Sequence, residues 1–310
     1  MAIMAVEKVF SIFVSCITFL SLTSCFSTQR PGSSMPAVET SYLMVRDRTG
    51  QLTDQQVRMI ANKADSALGK VLNFWSEDPK IEELGKIRLE LEKPRGERGE
   101  YYGAVFKGEL KDSERIRTVY LFGADKEPQM MVHKLTHATF FTKDKLIRNM
   151  MGIPMEVMFG NLLTFPMCGF NNFAWGLAFR ESKSNIPLID LGPDHESWGM
   201  TIKDGLPTLI SRRTQHICYA EAGSFGFYLL DTYGAEKVKT FYRLSLQKER
   251  PWKDIFGLTL KELETNWIQS LESIQQKGND VSELKKIFRI SPDQACFYAQ
   301  DLAIKARKGK

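Results

Sequence analysis

Two histidines four residues apart, His133 and His137, stand in the apolar run "MMVHKLTHATFF" at 130–141. On an α-helix that spacing turns both imidazoles to nearly the same face, where they can present nitrogen to one metal ion. Hydrolytic zinc chemistry needs two further parts. A third protein ligand completes the site while leaving a position for water, and a base takes that water's proton. Between the histidines, where the base would stand, is Lys134. An ammonium cannot accept a proton, and it opposes a nearby dication; only strong burial would deprotonate it. Met130, Phe140 and Phe141 lie near the histidine face. The pair therefore also reads as buried imidazoles hydrogen-bonded to backbone, and both readings stay open.

The elements around these residues follow from periodicity. "SYLMVR" reads as a strand, and Thr53 with Gln56 forms a capping box. Val57, Ile60, Ala61, Ala64, Leu68, Val71, Leu72 and Trp75 then keep helical spacing. "IRLELEK" alternates as a half-buried strand, and "YYGAVF" and "IRTVYLF" read as two more, joined by a charged turn. Asp125, Glu127 and Pro128 announce a helix start, so one helix is expected over 126–141, carrying both histidines. After residue 142 strand signals fade. "YAEAGSFGFYLLDTYG" reads as a helix ended by Gly234, "AEKVKTFYRLSL" as another, and Thr259 with Glu262 as a second capping box. "SPDQ" at 291–294 opens a last helix with a basic tail. The fold class expected is α+β. A small α/β lobe with a mixed sheet spans 41–142, a mostly helical lobe 143–276, and a helical extension 277–310.

The order of motifs resembles the gluzincin metallopeptidases, the peptidase MA-like group, over about residues 40–275. "VHKLTHA" stands for their HExxH helix, and "NNFAWGLAFRES" at 171–182 for the helix that brings the third ligand. "YAEAGSFGFYLLDTYGAEKVKTFYR" and "IFGLTLKELETNWIQSL" are similar to the two later helices of that family. The resemblance implies a zincin-like fold with a cleft between lobes. It puts Lys134 at the position of the general base and Trp175 at that of the zinc-ligand glutamate. An indole has no lone pair for zinc. The resemblance therefore implies no working catalytic residue, with Lys134 and Trp175 as degenerate positions and His133 and His137 as the remaining metal candidates. Replacement ligands, if zinc is held at all, are sought among Glu181, His195, Glu196, His216 and Glu221. The alternative is an active zinc peptidase with a rearranged third ligand and base.

The chain's beginning speaks to location. Residues 9–22, "VFSIFVSCITFLSL", are apolar but too short to span a bilayer, and "LTSC" follows. This resembles a bacterial lipobox, so 1–24 is expected to be a lipoprotein signal, Cys25 the lipidated residue and 25–40 a tether. Cys16 leaves with the signal. Cys168, Cys218 and Cys296 lack CxxC spacing, which argues against a zinc-cysteine site, and one pair among them is free to bridge in an oxidising compartment. The net charge of +5 is mild, and no basic-aromatic stripe argues for nucleic acid. The expectation is a lipid-anchored protein of the bacterial cell envelope, periplasmic or surface-exposed. It binds a peptide or protein partner in the interlobe cleft rather than cleaving it.

Overall fold

The computed structural model describes residues 37–94, 103–111, 114–124, 130–203, 206–274 and 280–308. The expected signal, Cys25, most of the tether and the helix-start residues Asp125, Glu127 and Pro128 lie outside them.

The architecture is mixed α and β, mostly helical, with one small mixed sheet. Strands β1 (Val38–Glu39), β2 (Leu43–Asp47), β3 (Ile87–Glu92), β4 (Gly103–Lys111) and β5 (Glu114–Phe122) form a five-stranded sheet in the order β1-β2-β3-β5-β4. β2, β3 and β5 are parallel, and β1 and β4 are antiparallel edges. Leu43, Val45, Ile87, Leu89, Leu91 and Val119 are fully buried in the sheet, as expected where helices cover parallel strands.

Helix α1 (Asp54–Trp75) starts at the Thr53–Gln56 capping box, with both reciprocal bonds made. It buries every apolar position that its spacing picks out. A short α2 (Ile81–Leu84) precedes β3. From β5 the chain passes to α3 (Met131–Thr139), which carries the histidines. This helix is shorter than the expected 126–141 at its C-terminal end. Phe140 leaves helical geometry so that its ring can insert between Trp75 and Tyr242, with centroids at 5.5 and 5.2 Å.

The later chain holds α4 (Lys145–Phe159), α5 (Asn172–Glu181), α6 (Arg212–Tyr233), α7 (Ala235–Ser245), α8 (Trp252–Phe256), α9 (Leu260–Ile274), α10 (Asp280–Ile290) and α11 (Ala295–Lys308). It also holds a hairpin, β6 (Met200–Lys203) with β7 (Leu206–Leu209), where no strand was expected. Sheet and helices share one core that runs from Leu43 to Leu271. Lys239 on α7 reaches across to the Trp75 carbonyl at 2.6 Å, tying the end of α1 to the helical half.

A second, smaller core contains Trp175, Phe179, Ile217, Leu284, Phe288, Ala295 and Ala299, joining α5 and α6 to α10 and α11. The Cys168–Cys296 disulfide pins it, bridging 128 residues with a Cα separation of 5.1 Å. That resolves which pair of cysteines bridges: Cys218 is free and buried. Among the described residues, no helix is long and apolar enough to cross a membrane.

Candidate functional site

α3 begins at Met130, which sits in the left-handed region with φ 58°, and no side chain of its own caps it. The carboxylate that meets its exposed N–H groups comes from α4. Glu156 Oε2 accepts the His133 N–H at 2.8 Å, and its Oε1 accepts the Asn161 N–H at 3.1 Å. A negative charge is favoured at a helix N-terminus. Burial nevertheless lifts the Glu156 carboxyl to about 6, with the His133, Asn161 and Val132 amides and the Lys134 charge pulling it down.

α4 also lies across the histidine face. Asn149 Oδ1 is 3.0 Å from His133 Nε2, and Asn149 Nδ2 donates to the Lys145 carbonyl at 2.7 Å. That arrangement makes the His133 Nε2 a hydrogen-bond donor. Gly152 sits opposite both rings. A Cβ built there would collide with the His133 ring and lie 3.0 Å from Nε2 of each histidine. Only glycine lets the two helices come this close. Two residues on, Pro154 has no N–H for the Met150 carbonyl. Gly226 of α6 packs against that carbonyl, where a Cβ would clash. The α3–α4–α6 sandwich is thus set by two glycines and a proline.

The rings of His133 and His137 are 4.2 Å apart and nearly perpendicular. Both are buried, and the His137 Nε2 has no hydrogen-bond partner. Burial, joined by the charges of Lys134 and Arg148, holds both imidazoles well below their ordinary range. Neutral imidazole is the form that ligates metal, yet the space in front of these nitrogens is filled by the α4 backbone. Among the described residues, no group of three or more His, Cys, Asp or Glu side chains is placed to hold an ion. A zinc ion does not fit the pair as arranged: one Nε2 is committed to Asn149, Gly152 fills the approach, and no third ligand converges.

The other residues singled out in the sequence lie apart from the pair. Trp175 is fully buried in the second core; its Nε1 donates to the Met167 carbonyl at 2.8 Å and its ring is 4.3 Å from His216. The ring contacts that lead back from it to His133 pass through His216, Phe165 and Tyr219. The position that the resemblance gives to a third ligand, Trp175, therefore does not face the histidine pair. The element across the histidine face is α4, because Gly152 permits the closer approach.

His216 bonds the Pro166 carbonyl at 2.9 Å and is held to about 4 by burial. Glu221 is buried, accepts the Ile186 N–H and is raised well above its ordinary value by burial. Glu181 pairs with Lys285 at 3.0 Å. Glu196 is exposed. His195 is half-buried and held to about 4, by burial first and then by the charges of Lys145 and Arg148. The Glu196 carboxylate beside it pulls the other way.

Lys134 is buried, with its Nζ 5.8 Å from the centroid of the Tyr219 ring. Burial, then Arg148 and Lys145, lowers it well below the usual lysine range. Sequence reasoning missed α4's contribution altogether: Lys145, Arg148, Asn149, Gly152 and Glu156. The available signal was polar residues spaced along an otherwise apolar stretch, "KLIRNMMGIPMEVMF".

Between the two halves runs a groove of about 720 Å³. Its walls include Asp78, Lys80, Arg117 and Phe141 from the sheet side, and Tyr242, Arg243, Lys248 and Arg250 from the helical side. Comparison of the chain with protein-family models, with curated proteins and with solved structures gave no match.

Proposed function

We propose that this protein is a non-catalytic binding module of the bacterial cell envelope, a gluzincin-like scaffold anchored by lipid at Cys25, which holds a peptide or protein partner in the groove between its halves. The observation that carries the reading is the covered histidine pair. Lys134 replaces the base, and α4 lies across both imidazoles at Gly152. Losing the base alone would leave a feeble enzyme, since general-base catalysis contributes roughly 10²–10⁴-fold. Losing the metal as well removes nucleophile and Lewis acid together.

Two further observations support the location and the binding role. The Cys168–Cys296 bridge suits an oxidising compartment outside the cytosol. The groove is large enough for several side chains of a partner and mixes charged with aromatic walls. The test has two arms. The protein is assayed for casein cleavage with and without added zinc and chelator; no chelator-sensitive cleavage is expected. Cys25→Ser is then compared with the wild type by membrane fractionation, and loss of membrane association is expected. Cleavage that responds to zinc and chelator would overturn the non-catalytic reading, and unchanged membrane association would overturn the anchor.

A further inference from the structure

The region behind Lys134 is unlike an ordinary core. Lys134, Lys145 and Arg148 meet around Tyr219, with no carboxylate paired to any of them among the described residues. The Lys145 Nζ is 5.8 Å from the Tyr219 centroid and 5.1 Å from that of Trp198. Among the described residues, its hydrogen-bond acceptor is the Met200 sulfur at 3.4 Å. Gln215 Nε2 and the Tyr219 hydroxyl approach the same sulfur at 3.2 and 4.0 Å. Three donors thus converge on a thioether, which is a weak acceptor. The Arg148 Nε is buried without a hydrogen-bond partner among the described residues. Of the nearby carboxylates, Asp144 pairs with Arg250 at 2.6 Å, Glu156 caps α3, Asp194 accepts from Ser197 at 2.7 Å, and Glu196 is solvent-exposed and accepts from Thr201 at 3.5 Å while its charge also acts on Lys145. Buried cations that lack a paired anion are costly, and the unpartnered Arg148 Nε adds to that cost.

We infer that Lys134, Lys145 and Arg148, with Gln215 and Tyr219 as additional donors, form a binding site for a compact oxyanion: a carboxylate or phosphate group carried by a ligand. Lys145 and Tyr219 make the buried floor. Arg148, Gln215 and His195 are only partly covered and form the approach. Met200 holds the centre when no anion is bound, and its three rotatable bonds let it withdraw. Trp198 and Tyr219 offer aromatic surface for whatever the oxyanion is attached to. The inference goes beyond the groove reading, because none of these side chains is among the walls of the groove. The two fail separately: loss of anion binding leaves an inactive protein inactive, and discovery of proteolysis leaves an anion site intact.

The experiment is calorimetric titration and thermal denaturation of the full chain in mild detergent. Three probes are used: inorganic phosphate, a short peptide with a free C-terminal carboxylate, and the same peptide as its C-terminal amide. Saturable binding by phosphate or by the free-acid peptide, with a raised Tm, supports the site. The probe that binds distinguishes a phosphate source from a chain terminus. Lys134→Met and Lys145→Met should each weaken that binding about 30-fold or more, the effect of removing one buried charge from a charge pair. Neither should lower the Tm of the unliganded protein, so a folded variant that no longer responds separates a ligand site from a structural role. The inference is overturned if no probe gives saturable binding. It is equally overturned if the amide binds as well as the acid, or if the methionine variants respond to phosphate as the wild type does.

Discussion

Lys145→Met should stabilise the protein at neutral pH and remove this lysine's own share of the gain in stability on going to alkaline pH, leaving the share of Lys134, which burial also lowers. In the folded protein the Lys145 ammonium is held to about 7 from an ordinary 10.5, by burial first and by Arg148 second. Below that folded value both states carry the proton, and the full penalty of burying the charge applies. Between the two values the unfolded chain holds a proton the folded protein lacks, so stability rises with pH. Over pH 7 to pH 9 the gain from this one group works out at about 2 kcal/mol. Methionine keeps the length of the stem, faces Trp198 and carries no charge. Replacing a buried charge by a well-packed apolar side chain is often stabilising by about 1–4 kcal/mol, and the variant should fall in that range at pH 7. Burial pushes the Cys218 thiol up, so folding resists its ionisation and stability falls as pH passes its ordinary value of 9.0. That effect is common to wild type and variant and cancels in their difference. The assay is urea denaturation of both proteins at pH 7 and pH 9. Parallel pH dependence in the two, or a variant less stable than wild type at pH 7, would show that the ammonium is solvated or paired and would refute the argument.

Gly152→Ala puts a methyl group into the His133 ring and should cost about 1–3 kcal/mol, read as a fall in the urea midpoint. A wild-type midpoint would mean that α3 and α4 are not in contact at that turn. Cys296→Ser opens the bridge across 128 residues and should cost about 2–5 kcal/mol, with a matching fall in the wild-type Tm on reduction and none in the variant. Lys134→Glu combined with Trp175→Glu should fail to create a zinc site, because Trp175 belongs to the second core; equilibrium dialysis with zinc checks this, and stoichiometric uptake by the double variant would place the two side chains together after all.

Local signals were readable where residues specify structure through near neighbours. The capping boxes at Thr53 and Thr259, the alternation of Ile87, Leu89 and Leu91, and Gly234 as the stop of α6 all act within a few residues, and each element appears where its signal lies. The histidine helix was readable too, but its end was not. Phe140 leaves the helix for contacts with Trp75 and Tyr242, which are distant in sequence. The candidate site was least legible because α4 makes it. Pro154 disguises that helix, since proline ordinarily breaks one. Nothing in the run itself says that Gly152 faces His133 and His137, or that Glu156 caps another helix. The β6–β7 hairpin had a signal, the Asp204-Gly205 dipeptide, which is a common hairpin turn.

The central claim is that His133 and His137 as arranged do not hold a metal. Metal analysis of the untagged protein, loaded with zinc and then passed through gel filtration, tests it most directly. Zinc content well below one ion per chain is the result predicted, unchanged in His137→Ala. One tightly held zinc per chain, lost in His133→Ala and His137→Ala, would contradict it.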